Sequence, residues 1–145
     1  MARDRLETEP ALLLKDRHIF VIEDNLENRI IMRIVLNRCG AQVDFDRWGR
    51  EVPDHLGCMK LIHVILLDLM FPNGITGYTI FDQIRQIPRL ADVPVVAVSA
   101  ADPFTAIPQC QAKGFAGFIA KPIDDDLFPL QIADIIAGHN VWYAG

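Results

Sequence analysis

The chain has 145 residues, 51% of them apolar, and a formal net charge of −5. That length makes one domain with a real core, and the apolar share argues against disorder. The acidity argues against a nucleic-acid surface, and no Lys/Arg cluster reverses it. The first eighteen residues mix Arg3, Asp4, Arg5, Glu7, Glu9, Lys15 and Asp16 with the short run Leu12-Leu13-Leu14, which is not a signal peptide. No apolar stretch reaches the length of a membrane span, so a cytoplasmic protein is expected. Cys39, Cys58 and Cys110 form no CxxC pair and read as reduced, mostly buried thiols.

Strand-like and helix-like segments alternate along the chain. Residues 19–22 form the first strand. Asn25 is placed to cap a helix over 26–38, whose stripe Ile30, Ile31, Ile34 and Val35 should face the core, and Gly40 should stop it. Residues 41–45 make a weak second strand, and 51–56 a short helix with Pro53 in its first turn. The third strand spans 61–67, followed by the turn Phe71-Pro72-Asn73-Gly74. A helix over 78–86 should bury Ile80, Phe81 and Ile84. The Val-rich fourth strand spans 93–98. A fourth helix over 103–113 should be interrupted by Pro108. The fifth strand covers 115–120. A fifth helix over 124–137 has three acids at its positive dipole end and Phe128, Ile132, Ile135 and Ile136 as its buried stripe.

Five βα units with short connections imply an α/β fold, a doubly wound five-stranded parallel sheet with helices on both faces. Residues 1–16 read as an N-terminal extension, 17–138 as the domain and 139–145 as a tail, whose Trp142-Tyr143 has three routes open: folding back on the domain, binding a partner, or disorder.

The polar residues gather at strand ends, where open α/β sheets do their chemistry. Asp68 ends the run Val64-Ile65-Leu66-Leu67. Glu23-Asp24 follows the first strand, Ser99 ends the fourth and Lys121 ends the fifth. Adjacent carboxylates repel, and Mg²⁺ relieves this by taking carboxylate, water and phosphate oxygens. Read singly, Glu23-Asp24 is a helix-capping pair, Ser99 a turn residue and Lys121 a surface charge. Together they suit a metal-assisted phosphoryl transfer onto Asp68, with Lys121 paired to Asp68 at rest. The Lys121-Pro122 bond is a candidate for the cis form.

These residues resemble the receiver domain of two-component response regulators, the CheY-like family. Val21-Ile22-Glu23-Asp24-Asn25 is similar to its first strand and helix start, and Leu66-Leu67-Asp68-Leu69-Met70-Phe71-Pro72 to its phosphoacceptor segment. Val93–Ala100 and Phe118-Ile119-Ala120-Lys121-Pro122 are similar to its last two strand ends. The separations of Asp24 from Asp68 and of Ser99 from Lys121 fit as well. The resemblance implies the flavodoxin-like strand order 2-1-3-4-5. It also implies that Asp68 accepts a phosphoryl group from a phosphohistidine of a histidine kinase or phosphotransfer protein. Mg²⁺, or Mn²⁺ in its place, would be held by Asp24, by Glu23 through a water, by Asp68 and by the Met70 carbonyl. Ser99 and Lys121 would bond phosphoryl oxygens, and Phe118 would be the switch aromatic that turns inward when Ser99 moves.

Such a domain is a phosphoacceptor with self-phosphorylation and autodephosphorylation only, not an enzyme acting on outside substrates. The tail His139–Gly145 is too short for an output domain, so output is expected through a separate protein or a further relay step. A homodimer through the fourth helix, fifth strand and fifth helix, including Ile107, Gln111 and Phe118, is one such route. The loop 73–77 is about one residue longer than the family's. Two other classes stay open: a phosphorylation-independent interaction module, and an aspartyl-nucleophile phosphatase. Met70 stands where such a phosphatase usually carries its second Asp, and the intact Glu23, Asp24, Asp68, Ser99 and Lys121 count against a degenerate module.

Overall fold

The computed structural model describes residues 10–46 and 61–145. The short helix expected over 51–56, and Cys58, lie outside them. Among the described residues six strands form one parallel sheet: β1 (His18–Ile22), β2 (Gln42–Asp46), β3 (Val64–Leu67), β4 (Val95–Ser99), β5 (Gly117–Ala120) and β6 (Val141–Tyr143). Their order is β2-β1-β3-β4-β5-β6, every neighbouring pair being parallel. The first five strands keep the flavodoxin-like order expected; the sixth is new.

Helices cover both faces. On one, α2 (Gly77–Arg85) and α3 (Pro103–Lys113) pack Ile80, Phe81, Ile84, Ala106 and Cys110 against Phe20, Ile65, Leu67, Val95 and Phe118. On the other, α1 (Leu26–Asn37) and α4 (Leu127–Ile136) pack Met32, Val35, Leu36, Phe128, Ile132 and Ile135 against Ile19, Val21, Leu66, Val98 and Ile119. Side chains alternate along each strand, so a central strand contributes to both clusters and must be apolar throughout. β1, β3, β4 and β5 fit that demand; β2, an edge strand with Gln42, Asp44 and Asp46, alternates.

The local signals act as read at several ends. The Asn25 side chain accepts from the Asn28 amide at the start of α1, and Gly40 has φ +93 just beyond its end. Asp102 caps α3 through the Phe104 amide, and Gly114 ends it in the left-handed region at φ +97. Asp124, rather than Asp126 next to the helix, caps α4: its side chain accepts the Asp126 and Leu127 amides.

Three expectations are corrected. Ile30, Ile31 and Ile34 of α1 are not buried: they are 48%, 44% and 52% exposed, and Leu26 is 63% exposed. The core-facing residues are Met32, Val35 and Leu36. Both stripes have helical period, and period alone does not choose between them. Pro108 does not interrupt α3, which runs unbroken through it; its ring points to solvent, and the capped ends and buried Ala106 and Cys110 hold the helix together. Residues 10–16 are no free extension: Leu14 is 1% exposed and its amide donates to the Cys39 carbonyl at 2.7 Å. Of the routes open to the Trp142-Tyr143 tail, the structure shows the fold-back: Val141–Tyr143 pairs with β5.

Cys39 and Cys110 are buried free thiols, and burial pushes the Cys110 thiol up to about 11. Among the described residues no helix is long and apolar enough to cross a membrane.

Candidate phosphoacceptor site

The site grows from the carboxyl ends of the inner strands. β1 and β3 run side by side, Ile22 opposite Leu67, so the residues that follow both strands emerge together. Asp68 is the first residue past β3, its amide donating to the Ile22 carbonyl at 3.2 Å. Glu23 is the first past β1, its amide donating to the Asp46 carbonyl. Lys121 is the first past β5, and its amide donates to the Ser99 carbonyl at 2.9 Å. The fold therefore converges side chains that are 45 and 53 residues apart in the chain onto one crevice.

Asp68 is 8% exposed. Its Oδ1 accepts from the Met70 amide at 3.1 Å and its Oδ2 from Lys121 Nζ at 2.9 Å. The Lys121 ammonium also donates to Glu23 Oε1. That second partner was not expected, and it makes Lys121 the bridge between two strand ends. Glu23 Oε1 accepts in addition from Asn28 Nδ2 at 2.9 Å, so the first turn of α1 orients the carboxylate. Glu23 Oε2 is buried with no partner among the described residues.

The electrostatics follow from burial. Desolvation lifts the Glu23 carboxyl above its ordinary 4.5; the Lys121 hydrogen bond pulls the other way, and the Asp68 charge adds to the rise. Burial pushes Lys121 down, but its hydrogen bond to Glu23 and the charge of Asp68 outweigh that and leave it above 10.5. Lys121 is thus a fixed cation between two carboxylates.

Ser99 ends β4, fully buried, with its Oγ accepting from the Ala101 amide at 3.2 Å. The Lys121–Pro122 bond is cis. Asp24 is half-exposed and stands outside the Glu23–Lys121–Asp68 network. Among the described residues no group of three His, Cys, Asp or Glu side chains is gathered as a ready metal cage. Phe118 is fully buried. The β5 edge, part of the expected dimer face, is paired with β6.

Two contributors escaped the sequence reading. Gly77 opens α2 against the phosphoacceptor segment, where a Cβ would lie 2.3 Å from the Asp68 carbonyl oxygen and 2.8 Å from Leu69 Cα. Only glycine allows that approach. Asn28 is the other; its position in the first turn of α1, five residues after Glu23, was the available signal.

Residues 19–133 match the family model of the response regulator receiver domain. The chain belongs to that family. Its relatives include the two-component response regulator ORR5 of Oryza sativa subsp. japonica, 26% identical over 106 residues, which cover 73% of this chain and 78% of the relative. The two-component response regulator ARR17 of Arabidopsis thaliana is 25% identical over 120 residues, covering 75% and 78%. Among solved structures, the receiver domain of the sensor histidine kinase PA1611 from Pseudomonas aeruginosa PAO1 matches with a TM-score of 0.70 and 23% identity, over 84% of this chain and 98% of that one. That crystal carries a magnesium ion coordinated in the active site cleft. A response regulator from Thermotoga maritima matches with a TM-score of 0.73 and 19% identity, over 84% and 98%. The structural matches speak for the fold. As a receiver domain the chain is a phosphoacceptor signalling domain and not a conventional enzyme.

Proposed function

We propose that Asp68 takes a phosphoryl group from a phosphohistidine of a histidine kinase or histidine phosphotransfer protein, in a reaction that needs Mg²⁺. The observation that carries this is the Asp68–Lys121–Glu23 network at the ends of three strands, with the buried Ser99 hydroxyl on the strand between β3 and β5. In the transfer an Asp68 carboxylate oxygen bonds to phosphorus, the P–N bond breaks, and the electron pair leaves with the imidazole. Lys121 Nζ then bonds one phosphoryl oxygen, exchanging a carboxylate contact for a more highly charged one, and the Ser99 hydroxyl, whose Oγ accepts from the Ala101 amide, donates to another. Phe118 is the neighbour through which the change passes on to a separate output partner.

The site fits a hard divalent cation. The unpartnered, buried Glu23 Oε2 is an oxygen looking for a cation, and Mg²⁺ is satisfied by one or two carboxylates plus waters. Asp24, Asp68 and the Met70 carbonyl, with Glu23 through a water, are the residues that would hold it. Bound there, Mg²⁺ supplies positive charge to the transferring phosphoryl oxygens.

A partner that presents a histidine must dock beside the crevice. The solvent-facing Leu26, Ile30, Ile31 and Ile34 of α1 form an apolar face there. It borders a cleft of ≈ 160 Å³ lined by Asn28, Ile31, Lys121, Pro122 and Ile123. This supports a partner with an apolar helical surface of its own. A phosphatase reading has less behind it, since Met70 offers no general acid two residues after Asp68.

Incubation with a small phosphodonor and Mg²⁺ tests the proposal. One phosphoryl group per chain is expected, and Asp24→Ala should abolish the Mg²⁺-dependent labelling. Catalytic release of phosphate would point to a phosphatase, and no label at all to an interaction module.

A further inference from the structure

β6 joins the sheet at the strand that carries Lys121. Gly117 lies opposite Val141, Phe118 opposite Trp142 and Ile119 opposite Tyr143. On its other side β5 pairs with β4, Ser99 opposite Ala120. One short strand thus bears the crevice's cation at its end and β6 along its edge.

The contact is built. A Cβ on Gly117 would lie 2.5 Å from the Val141 carbonyl oxygen, an approach only glycine permits. The Val141 amide donates to the Ala116 carbonyl at 3.3 Å. Trp142 packs into the cluster that holds Phe118, while Val141 and Tyr143 pack into the opposite one. After α4, Gly138 turns the chain at φ +101 and the His139 amide donates to the Asp134 carbonyl, which delivers β6 to β5. Yet β6 has three residues and one neighbouring strand. Short edge elements of this kind belong to the least stable part of a domain.

Phe118 is already buried, with Trp142 beside it on the same face, so β6 occupies the edge past which an outward ring would swing. A phosphoryl group on Asp68 competes with the carboxylates for the Lys121 ammonium and gives the Ser99 hydroxyl an acceptor, and these two groups sit at the ends of β5 and β4. Any shift of those ends reaches β6 directly through the β5 ladder.

We propose that residues 139–145 are a latch whose grip on β5 is coupled to occupancy of the Asp68 crevice. The surface this chain changes for output is then β6 with its flanking helices, not a bare β5 edge. This rests on the phosphoacceptor reading of Asp68. Coupling is reciprocal: an occupant of the crevice changes the grip of β6 by the factor by which β6 changes the affinity of the crevice.

The test is amide hydrogen exchange of the whole chain, with and without beryllofluoride and Mg²⁺, with binding followed separately through the Ala101 amide signal. Exchange at residues 141–143 should change by about 5- to 150-fold. Val141→Pro removes the amide that donates to Ala116 and should shift beryllofluoride affinity by a factor in the same range. Trp142→Ala should shift it in the same direction. If beryllofluoride binds while exchange at 141–143 and the affinities of both variants stay unchanged, the latch is overturned and the phosphoacceptor reading stands. If beryllofluoride and Mg²⁺ do not bind the unaltered chain, both fall.

Discussion

α1 and α4 lean on the same face of the sheet and use their apolar residues in opposite ways. α4 crosses from β5 to β6 and turns Phe128, Ile132 and Ile135 into the core, all 2% exposed or less. α1 crosses from β1 to the edge strand β2; it buries Met32, Val35 and Leu36 and leaves Leu26, Ile30, Ile31 and Ile34 facing out. The difference teaches that a helical period marks a face as apolar without saying that this chain covers it. The strand β6 laid on the sheet beyond β5 gives α4 more to cover. α1 has an apolar stripe beyond its own needs, and that stripe borders the crevice.

Stability measurements can break this comparison. Ile132→Ala should cost about 2–5 kcal/mol in urea unfolding, because its side chain is fully enclosed. Asn28→Ala removes the hydrogen bond from α1 to Glu23 and should cost about 0.5–1.5 kcal/mol. Ile31→Ser on the outer face of α1 should stay within about 0.5 kcal/mol. The same Ile31→Ser should slow transfer from a phosphohistidine partner while leaving labelling by a small phosphodonor untouched. Equal costs for Ile132→Ala and Ile31→Ser would erase the distinction between the two helices.

The pH profile sharpens the same picture at the crevice, where Asn28 of α1 and Lys121 just before α4 meet on Glu23. The folded chain holds the Glu23 proton above 4.5, so it binds more protons than the unfolded chain in that window. Stability contributed at Glu23 therefore falls as pH rises from 4.5 through the raised value. Without divalent cations, Glu23→Gln should remove that fall. For Lys121 the folded value lies above 10.5, so its contribution is complete below 10.5 and is lost as pH rises through the raised value. A titration of unfolding free energy showing the same acid-side slope in both Glu23→Gln and the parent chain would count against Glu23 as the buried, proton-holding carboxylate.

Much of this was legible in the sequence. Strands buried on both faces read as unbroken apolar runs, so β1, β3, β4 and β5 stood out, and the polar residue that ends each run marked the crevice. The Lys121–Asp68 pair followed from Lys121 leaving its strand toward Asp68. Three things were not legible. Val141-Trp142-Tyr143 is too short to announce a strand, and its place depends on Gly117, whose role is visible only once two backbones meet. The outward turn of Ile30, Ile31 and Ile34 depends on which of two apolar stripes the sheet selects. The persistence of α3 through Pro108 depends on caps and packing that outweigh one lost hydrogen bond.

The most direct test of the central claim is peptide mapping by mass spectrometry after incubation with a small phosphodonor and Mg²⁺, on the parent chain and on Asp68→Asn. The parent should carry one phosphoryl group, on the peptide that contains Asp68, and Asp68→Asn should carry none while unfolding as a normal domain. Undiminished phosphate on Asp68→Asn, or a label on any other residue of the parent, would contradict the account.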